Sequence, residues 1–321
     1  MTNPFDIPEA PPGFNQPLCP WRTPEHAGLY ADVDSSLAQL DRFATAIEDW
    51  DLRRQGKLVL VTGESGCGKT SVVNHCADVL DRRMNGRPDP GRPPELVIDL
   101  ARHRYSRRMN DDQVARVREV CEQVIIKLGD VLAFPPNFPT DAKAWRIVYP
   151  QLSKVLGRYS RILVVLLPST DAAKDLDEYA YLAGECARIV FFSESSERDE
   201  VDASLDALNE TERRGIVRLR VQAVEPSLAG QHAMQLIRHR VDDPEAWVNP
   251  EDVMEAFGYL AGGSPTMSVG RMNVIFRRLW DDWQGRRSEG PVPKADIYKS
   301  MLGEPSGGFE KRGTASQEEG P

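Results

Sequence analysis

The sequence predicts an α/β chain: a parallel five-stranded sheet flanked by helices, then a small helical domain. Three observations carry this. Apolar runs of strand length alternate with segments of helical period from about residue 29 to residue 222. One run leads directly into a glycine-rich loop that opens a helix. Beyond residue 222 no strand-like run follows, while apolar residues such as Leu228, Met234, Leu236 and Ile237 keep helical spacing.

The elements follow in chain order. Residues 1–28 carry Pro4, Pro8, Pro11, Pro12, Pro17, Pro20 and Pro24 with little apolar periodicity, so they read as an extended arm, with Trp21 a candidate anchor. Strands are expected at 57–62 (KLVLVT), 95–100 (ELVIDL), 161–167 (RILVVLL), 188–193 (RIVFFS) and 216–221 (IVRLRV). Residues 58–61 and 163–167 are apolar without alternation, as central strands covered on both faces must be. Helical spacing marks 37–50, 70–83, 112–132, 142–159, 174–186 and 199–213. The expected division is an arm at 1–28, a nucleotide-binding domain at 29–222, a helical lid domain at 223–302 and a polar, glycine-rich disordered tail at 303–321.

Composition excludes several classes. The chain has 321 residues and a net charge of -9, which disfavours a surface that grips nucleic acid throughout. Cys19, Cys67, Cys76, Cys121 and Cys186 form no CxxC pair and read as reduced thiols rather than a disulfide or zinc framework. No run approaches the roughly 18 apolar residues of a membrane span, and the start resembles no signal peptide, so a cytoplasmic protein without membrane partners is expected. The histidines His26, His75, His103, His232 and His239 form no HExxH pattern, and no GxSxG elbow is present.

The chemistry concentrates in Gly63-Glu64-Ser65-Gly66-Cys67-Gly68-Lys69-Thr70, a full G-x-x-x-x-G-K-[ST] match between a strand and an amphipathic helix. Gly63, Gly66 and Gly68 let backbone N–H groups turn inward around phosphate oxygens at the positive end of the helix. Lys69 then reaches the β- and γ-phosphates of ATP, and the Thr70 hydroxyl is the expected ligand of Mg²⁺. Cys67 is either a filler of this loop or a thiol of lowered pKa at a helix N-terminus.

This order of elements resembles the AAA+ ATPases, in the branch related to origin-recognition proteins and STAND signalling switches. The resemblance spans roughly residues 29–283. It rests on the P-loop, on the five strands, and on Gly262-Gly263-Ser264-Pro265, which is similar to the GGNPR signature of such lids. It implies that the third strand should end in Asp-Glu, the Mg²⁺-holding and water-activating pair. Pro168-Ser169 stand there instead, followed by Thr170-Asp171. A missing general base removes about 10²- to 10⁴-fold in rate. Asp171 and Asp99 are candidate substitutes; Glu194 is either a third or an exposed loop glutamate.

The resemblance implies further roles. Ser193 or Ser195 would be the sensor 1 residue that touches the γ-phosphate, or a serine that caps the following turn. Arg213-Arg214 would be an arginine finger reaching a neighbour's site in a head-to-tail homo-oligomer, or a basic helix end complementing the dipole. Thr266 replaces the sensor 2 arginine, with Arg271 the nearest alternative, and Ala31-Asp32 stand where a Gly-Arg is usual. These departures point to an ATP-dependent conformational or assembly switch with slow or absent hydrolysis, acting in an oligomer or with a separately encoded partner protein. The alternatives are an active ATPase with a displaced carboxylate, or a DNA-associated loader or transposition-type regulator. The last would use the basic stretches around Arg102-His103-Arg104-Tyr105-Ser106-Arg107-Arg108 and from Arg271 through Arg277, Arg278, Trp280 and Trp283 to Arg286-Arg287. The helical spacing of Ile275, Leu279 and Trp283 favours a solvated face over a core instead.

Overall fold

Five runs of branched aliphatic and aromatic residues meet in one parallel sheet. They are β1 (Lys57–Thr62), β2 (Val97–Asp99), β3 (Leu163–Leu166), β4 (Ile189–Ser195) and β5 (Ile216–Arg220), in the spatial order β2-β3-β4-β1-β5. The computed structural model describes residues 2–10, 16–33, 36–86, 96–103, 112–169, 173–196, 198–207, 213, 215–222, 224–261, 267–285 and 290–302.

Both sheet faces are covered, as the unbroken apolar strands require. On one face Val59, Val61, Val164, Leu166, Val190 and Phe192 pack against α1 (Ser36–Ala46) and α2 (Lys69–Asn85) through Leu40, Phe43, Val72, Cys76 and Leu80. On the other, Leu58, Leu163, Val165, Ile189 and Phe191 meet α3 (Gln113–Gly129), α4 (Trp145–Tyr159) and α5 (Ala173–Glu185). A bidentate ion pair from Arg116 Nε and Nη2 to Asp175 at 2.7 and 2.8 Å ties α3 to α5 inside this layer. The next helix, α6 (Arg198–Ala207), adds Val201 and Leu205 to a small cluster with Leu60 and Leu176.

A second core belongs to the helices after β5: α7 (Ala229–Arg240), α8 (Pro244–Trp247), α9 (Pro250–Ala261), α10 (Val269–Gly285) and α11 (Lys294–Leu302). Among the described residues its only strand-like feature is a single parallel bridge between Val248 and Val292. No helix among the described residues is long and apolar enough to cross a membrane.

The N-terminal segment differs from an extended arm because its aromatic residues are buried. Phe5 is fully buried in the helical core, with ring centroids 5.2 Å from Trp247 and 5.4 Å from Phe276. Losing such a ring typically costs about 3 kcal/mol or more. Farther along, a 3₁₀ turn at Pro24–Leu29 leads to Tyr30, whose hydroxyl donates to the Ser71 carbonyl of α2 at 2.6 Å. Trp21 donates from Nε1 to Asn74 Oδ1 of α2 at 3.3 Å. One end of the segment is thus fastened to the helical core and the other to the helix that follows the glycine-rich loop.

Candidate functional site

The loop between β1 and α2 has the geometry its glycines permit. Gly66 has φ 81° and Gly68 φ 92°, the left-handed region that costs other residues more. At Gly63 a Cβ would lie 2.3 Å from the Val221 carbonyl oxygen, so only glycine fits. Gly68 caps α2 with no side-chain hydrogen bond, which leaves the first-turn N–H groups to an anion at the positive end of the helix. Lys69 Nζ donates to the carbonyls of Gly63 and Glu64 at 2.7 and 2.8 Å, holding the ammonium over the loop. Cys67 is 2 % exposed and its thiol faces the Val221 carbonyl at 3.8 Å, the position of a filler.

The carboxylate comes from the neighbouring strand. Side chains alternate between faces along a strand, so Val190, Phe192 and Glu194 point to the α2 face while Ser193 and Ser195 point to the other. β4 pairs directly with β1, with Val61 opposite Glu194. Glu194 therefore meets the start of α2, where its Oε2 accepts from Thr70 Oγ at 2.9 Å. Burial raises the Glu194 pKa above the ordinary carboxylate range, opposed by the Thr70 hydrogen bond and the Lys69 charge and assisted by the Asp99 charge. Glu194 is thus no exposed loop residue, because β4 runs two residues past the strand end expected at 193.

The other expected residues fall elsewhere. Ser193 and Ser195 are buried on the α5 side and do not line the site; Ser193 Oγ has no hydrogen-bond partner. Asp99 is engaged by the arm, accepting from Arg22 Nη2 at 2.6 Å and from the Ala101 N–H at 3.0 Å. Ser169, beyond the end of β3, lines the cavity described below. Arg213 is exposed and its guanidinium donates to the Asp206 carbonyl. Arg271 is half-buried on the first turn of α10 and is not among the cavity-lining residues. Phe276 and Trp280 of the second basic stretch are buried in the helical core, so they present no ring on which a base could stack. Asp171, Arg214, Arg104, Arg107, Arg108, Arg286, Arg287, the Gly262-Gly263-Ser264-Pro265-Thr266 segment and the tail at 303–321 lie outside the described residues.

A cavity of about 480 Å³ joins these parts, a volume suited to a nucleotide. Its floor is the loop from Ser65 to Val72 with Ser169, Glu194 and Ser196 beside it. Its walls come from the N-terminal segment through Ile7, Leu18, Tyr30 and Ala31, and from the helical domain through Leu236, Arg240, Val269 and Asn273. The wall residues of the helical domain were not legible as site residues, since nothing in local pattern says which face of a lid helix turns toward a loop some two hundred residues earlier in the chain. The signal that did exist concerned Glu194, whose strand parity is that of Val190 and Phe192.

No family model and no curated protein matches the sequence. Solved structures do match in fold. The Aeropyrum pernix ORC2 protein in its ADPNP-ADP complexes superposes with a TM-score of 0.51 at 14% identity, covering 94% of this chain and 71% of that one. The Walker-type ATPase paby2304 of Pyrococcus abyssi gives 0.50 at 14% identity, covering 93% and 75%. Cdc6p from Pyrobaculum aerophilum gives 0.50 at 15% identity, covering 85% and 68%. The chain shares the fold of these proteins: the parallel five-stranded sheet between helices and the helical region behind it.

Proposed function

We propose that this chain is an AAA+-type protein of the origin-recognition and STAND-like group that binds Mg-ATP in the cavity between its P-loop, arm and helical domain. It acts as a nucleotide-dependent conformational or assembly switch with slow or absent hydrolysis. The observation that carries this is the hydrogen bond between Thr70 and Glu194. It places one carboxylate, delivered by β4 rather than β3, at the P-loop hydroxyl.

The residues fit the metal. A hydroxyl and a carboxylate are hard oxygen donors of the kind Mg²⁺ selects, and Thr70 with Glu194 would hold it. When bound, the ion would neutralise charge on the β- and γ-phosphates. Lys69 would bind those same phosphates, with the uncapped N–H groups of α2 as further donors. Among the described residues that line the cavity Glu194 is the one carboxylate, where relatives by resemblance use two, and one group that holds the ion is poorly placed to activate water as well. Slow turnover follows.

The switch reading rests on the cavity walls. A ligand that touches the P-loop and the helical domain together favours whichever relative position lets it touch both. The likeness of fold to ORC2 in its ADPNP-ADP complexes supports nucleotide as that ligand. The test follows ATP binding, phosphate release and molecular mass on one sample. Saturable binding with slow release and an ATP-dependent change in mass or shape is expected. Absence of ATP binding contradicts the proposal.

A further inference from the structure

The N-terminal segment belongs to both cores of the molecule. Among the described residues, the buried core of the helical domain takes Phe5, Ala31 and Val33 from this segment and none from the five strands or from α1–α6. Hydrogen bonds add to that grip. Asn273 Nδ2 donates to the Phe5 carbonyl at 3.0 Å, and Asn3 Nδ2 donates to the Arg277 carbonyl at 2.9 Å and to Asp281 Oδ1 at 2.8 Å, all on α10. The stretch between Phe5 and Ala31 is given to the other half. There Trp21 is buried in the layer that α1 and α2 form on the sheet, and Arg22 beside it pairs with Asp99 of β2 at 2.6 Å.

This middle stretch lands on the first turns of α2. The Leu18 N–H donates to Ser71 Oγ at 3.1 Å and the Tyr30 hydroxyl donates to the Ser71 carbonyl at 2.6 Å, so two bonds converge on the residue next to Thr70. One turn on, Asn74 donates from Nδ2 to the Leu18 carbonyl at 2.9 Å and accepts from Trp21 Nε1 at 3.3 Å. The segment is therefore bound to the helix turn that carries Thr70. The first residues of most domains are loosely held unless something ties them down. Here the ties run to two cores at once, and a chain held at both raises the effective concentration of one half beside the other.

We infer that the N-terminal segment is a strap that holds the helical domain over the P-loop and couples the position of that domain to the first turn of α2. Phe5 is its anchor in the helical core and Asn74 its anchor on α2, and neither residue lines the cavity. With the strap released, the domain spends part of its time away from the loop. ATP then binds more weakly by that fraction, although no group that touches it has changed. The coupling runs both ways, since a ligand that draws the domain onto the loop also favours the strapped state. The effect on ATP rests on the nucleotide reading proposed above; the effect on shape does not.

The experiment compares wild type with Phe5→Ala, Asn74→Ala, their double variant, Asn3→Ala and Lys69→Ala, by small-angle scattering without nucleotide, ATP calorimetry and thermal unfolding. Phe5→Ala and Asn74→Ala should each enlarge the nucleotide-free particle and weaken ATP binding by about tenfold. Because the two anchors sit in separate cores, independent effects would multiply to about a hundredfold. A strap that is already slack has little more to lose, so the double variant should fall within about twofold of the weaker single one. If Phe5→Ala unfolds early, Asn3→Ala takes its place; it gives up only the hydrogen bonds to α10 and should weaken ATP binding by about threefold. Wild-type size or wild-type affinity in both single variants, or full multiplication in the double one, overturns the inference, while loss of ATP binding in Lys69→Ala keeps the nucleotide reading. Failure of wild type to bind ATP removes that reading and leaves the strap to be decided by particle size.

Discussion

The end of β1 and the end of β3 face the same cavity, yet they are built on opposite terms. β1 runs into a loop that matches the whole phosphate-loop motif, with Gly66 and Gly68 in the left-handed region such a loop requires. β3 runs into Pro168-Ser169, with no carboxylate at the expected place, and the carboxylate arrives from β4 in between. The two ends differ in how replaceable they are. A phosphate cradle depends on consecutive backbone amides and cannot be moved to another strand. A carboxylate needs only the right face and the right depth, and β4 offers both because it is the immediate neighbour of β1. Binding is therefore expected to be robust and turnover to be weak.

The largest effect should come from breaking the intact end. Lys69→Ala should weaken ATP binding by about a hundredfold or more, some 2.7 kcal/mol, measured by calorimetry. An unchanged affinity would contradict the phosphate-loop reading. Next, Ser169→Asp returns a carboxylate to the end of β3. It should raise phosphate release by roughly tenfold, toward the lower limit of what a general base supplies; release unchanged or lowered would mean that the end of β3 is not aimed at the reacting phosphate.

A smaller effect is expected from protons. The Glu194 carboxyl has a pKa raised in the folded protein, so between its ordinary value and the raised one the folded state binds more protons than the unfolded state. Its contribution to stability is fully present below the ordinary value and is lost as pH rises through the raised value. Glu194→Gln should therefore flatten the fall in melting temperature of the nucleotide-free protein over that window. Identical pH profiles for the two proteins would show that burial of this carboxylate is unimportant. The smallest effect belongs to Cys67→Ala, which should change ATP affinity by less than about twofold because the thiol faces the Val221 carbonyl; a larger loss, or protection of the thiol from alkylation by ATP, would reopen its role.

How much of this the sequence disclosed follows from the range of each signal. The phosphate loop is local, eight consecutive residues between a strand and a helix, and was fully legible. The sheet was legible from apolar runs, but its ends were not. β4 continues past Ser193 through Glu194 and Ser195, whose polarity hides them from an apolar pattern, and Ser193 and Ser195, either of which read as a phosphate contact or as a turn cap, point into the opposite layer. The parity of Val190 and Phe192 would have placed Glu194 on the α2 face. Nothing comparable marks Phe5, Arg240 or Asn273. Their roles arise only when the N-terminal segment and the helical domain close over the loop, as in the bond from Asn273 to the Phe5 carbonyl across 268 residues of chain.

We propose that Glu194 holds Mg²⁺ at this site in place of the carboxylates missing from the end of β3. The Mg²⁺ dependence of ATP affinity tests it most directly, comparing wild type with Glu194→Gln. Mg²⁺ should strengthen ATP binding by wild type, and the variant should lose about tenfold of this gain while its Mg²⁺-free affinity is kept or improved. A variant that keeps the full Mg²⁺-dependent gain would contradict it.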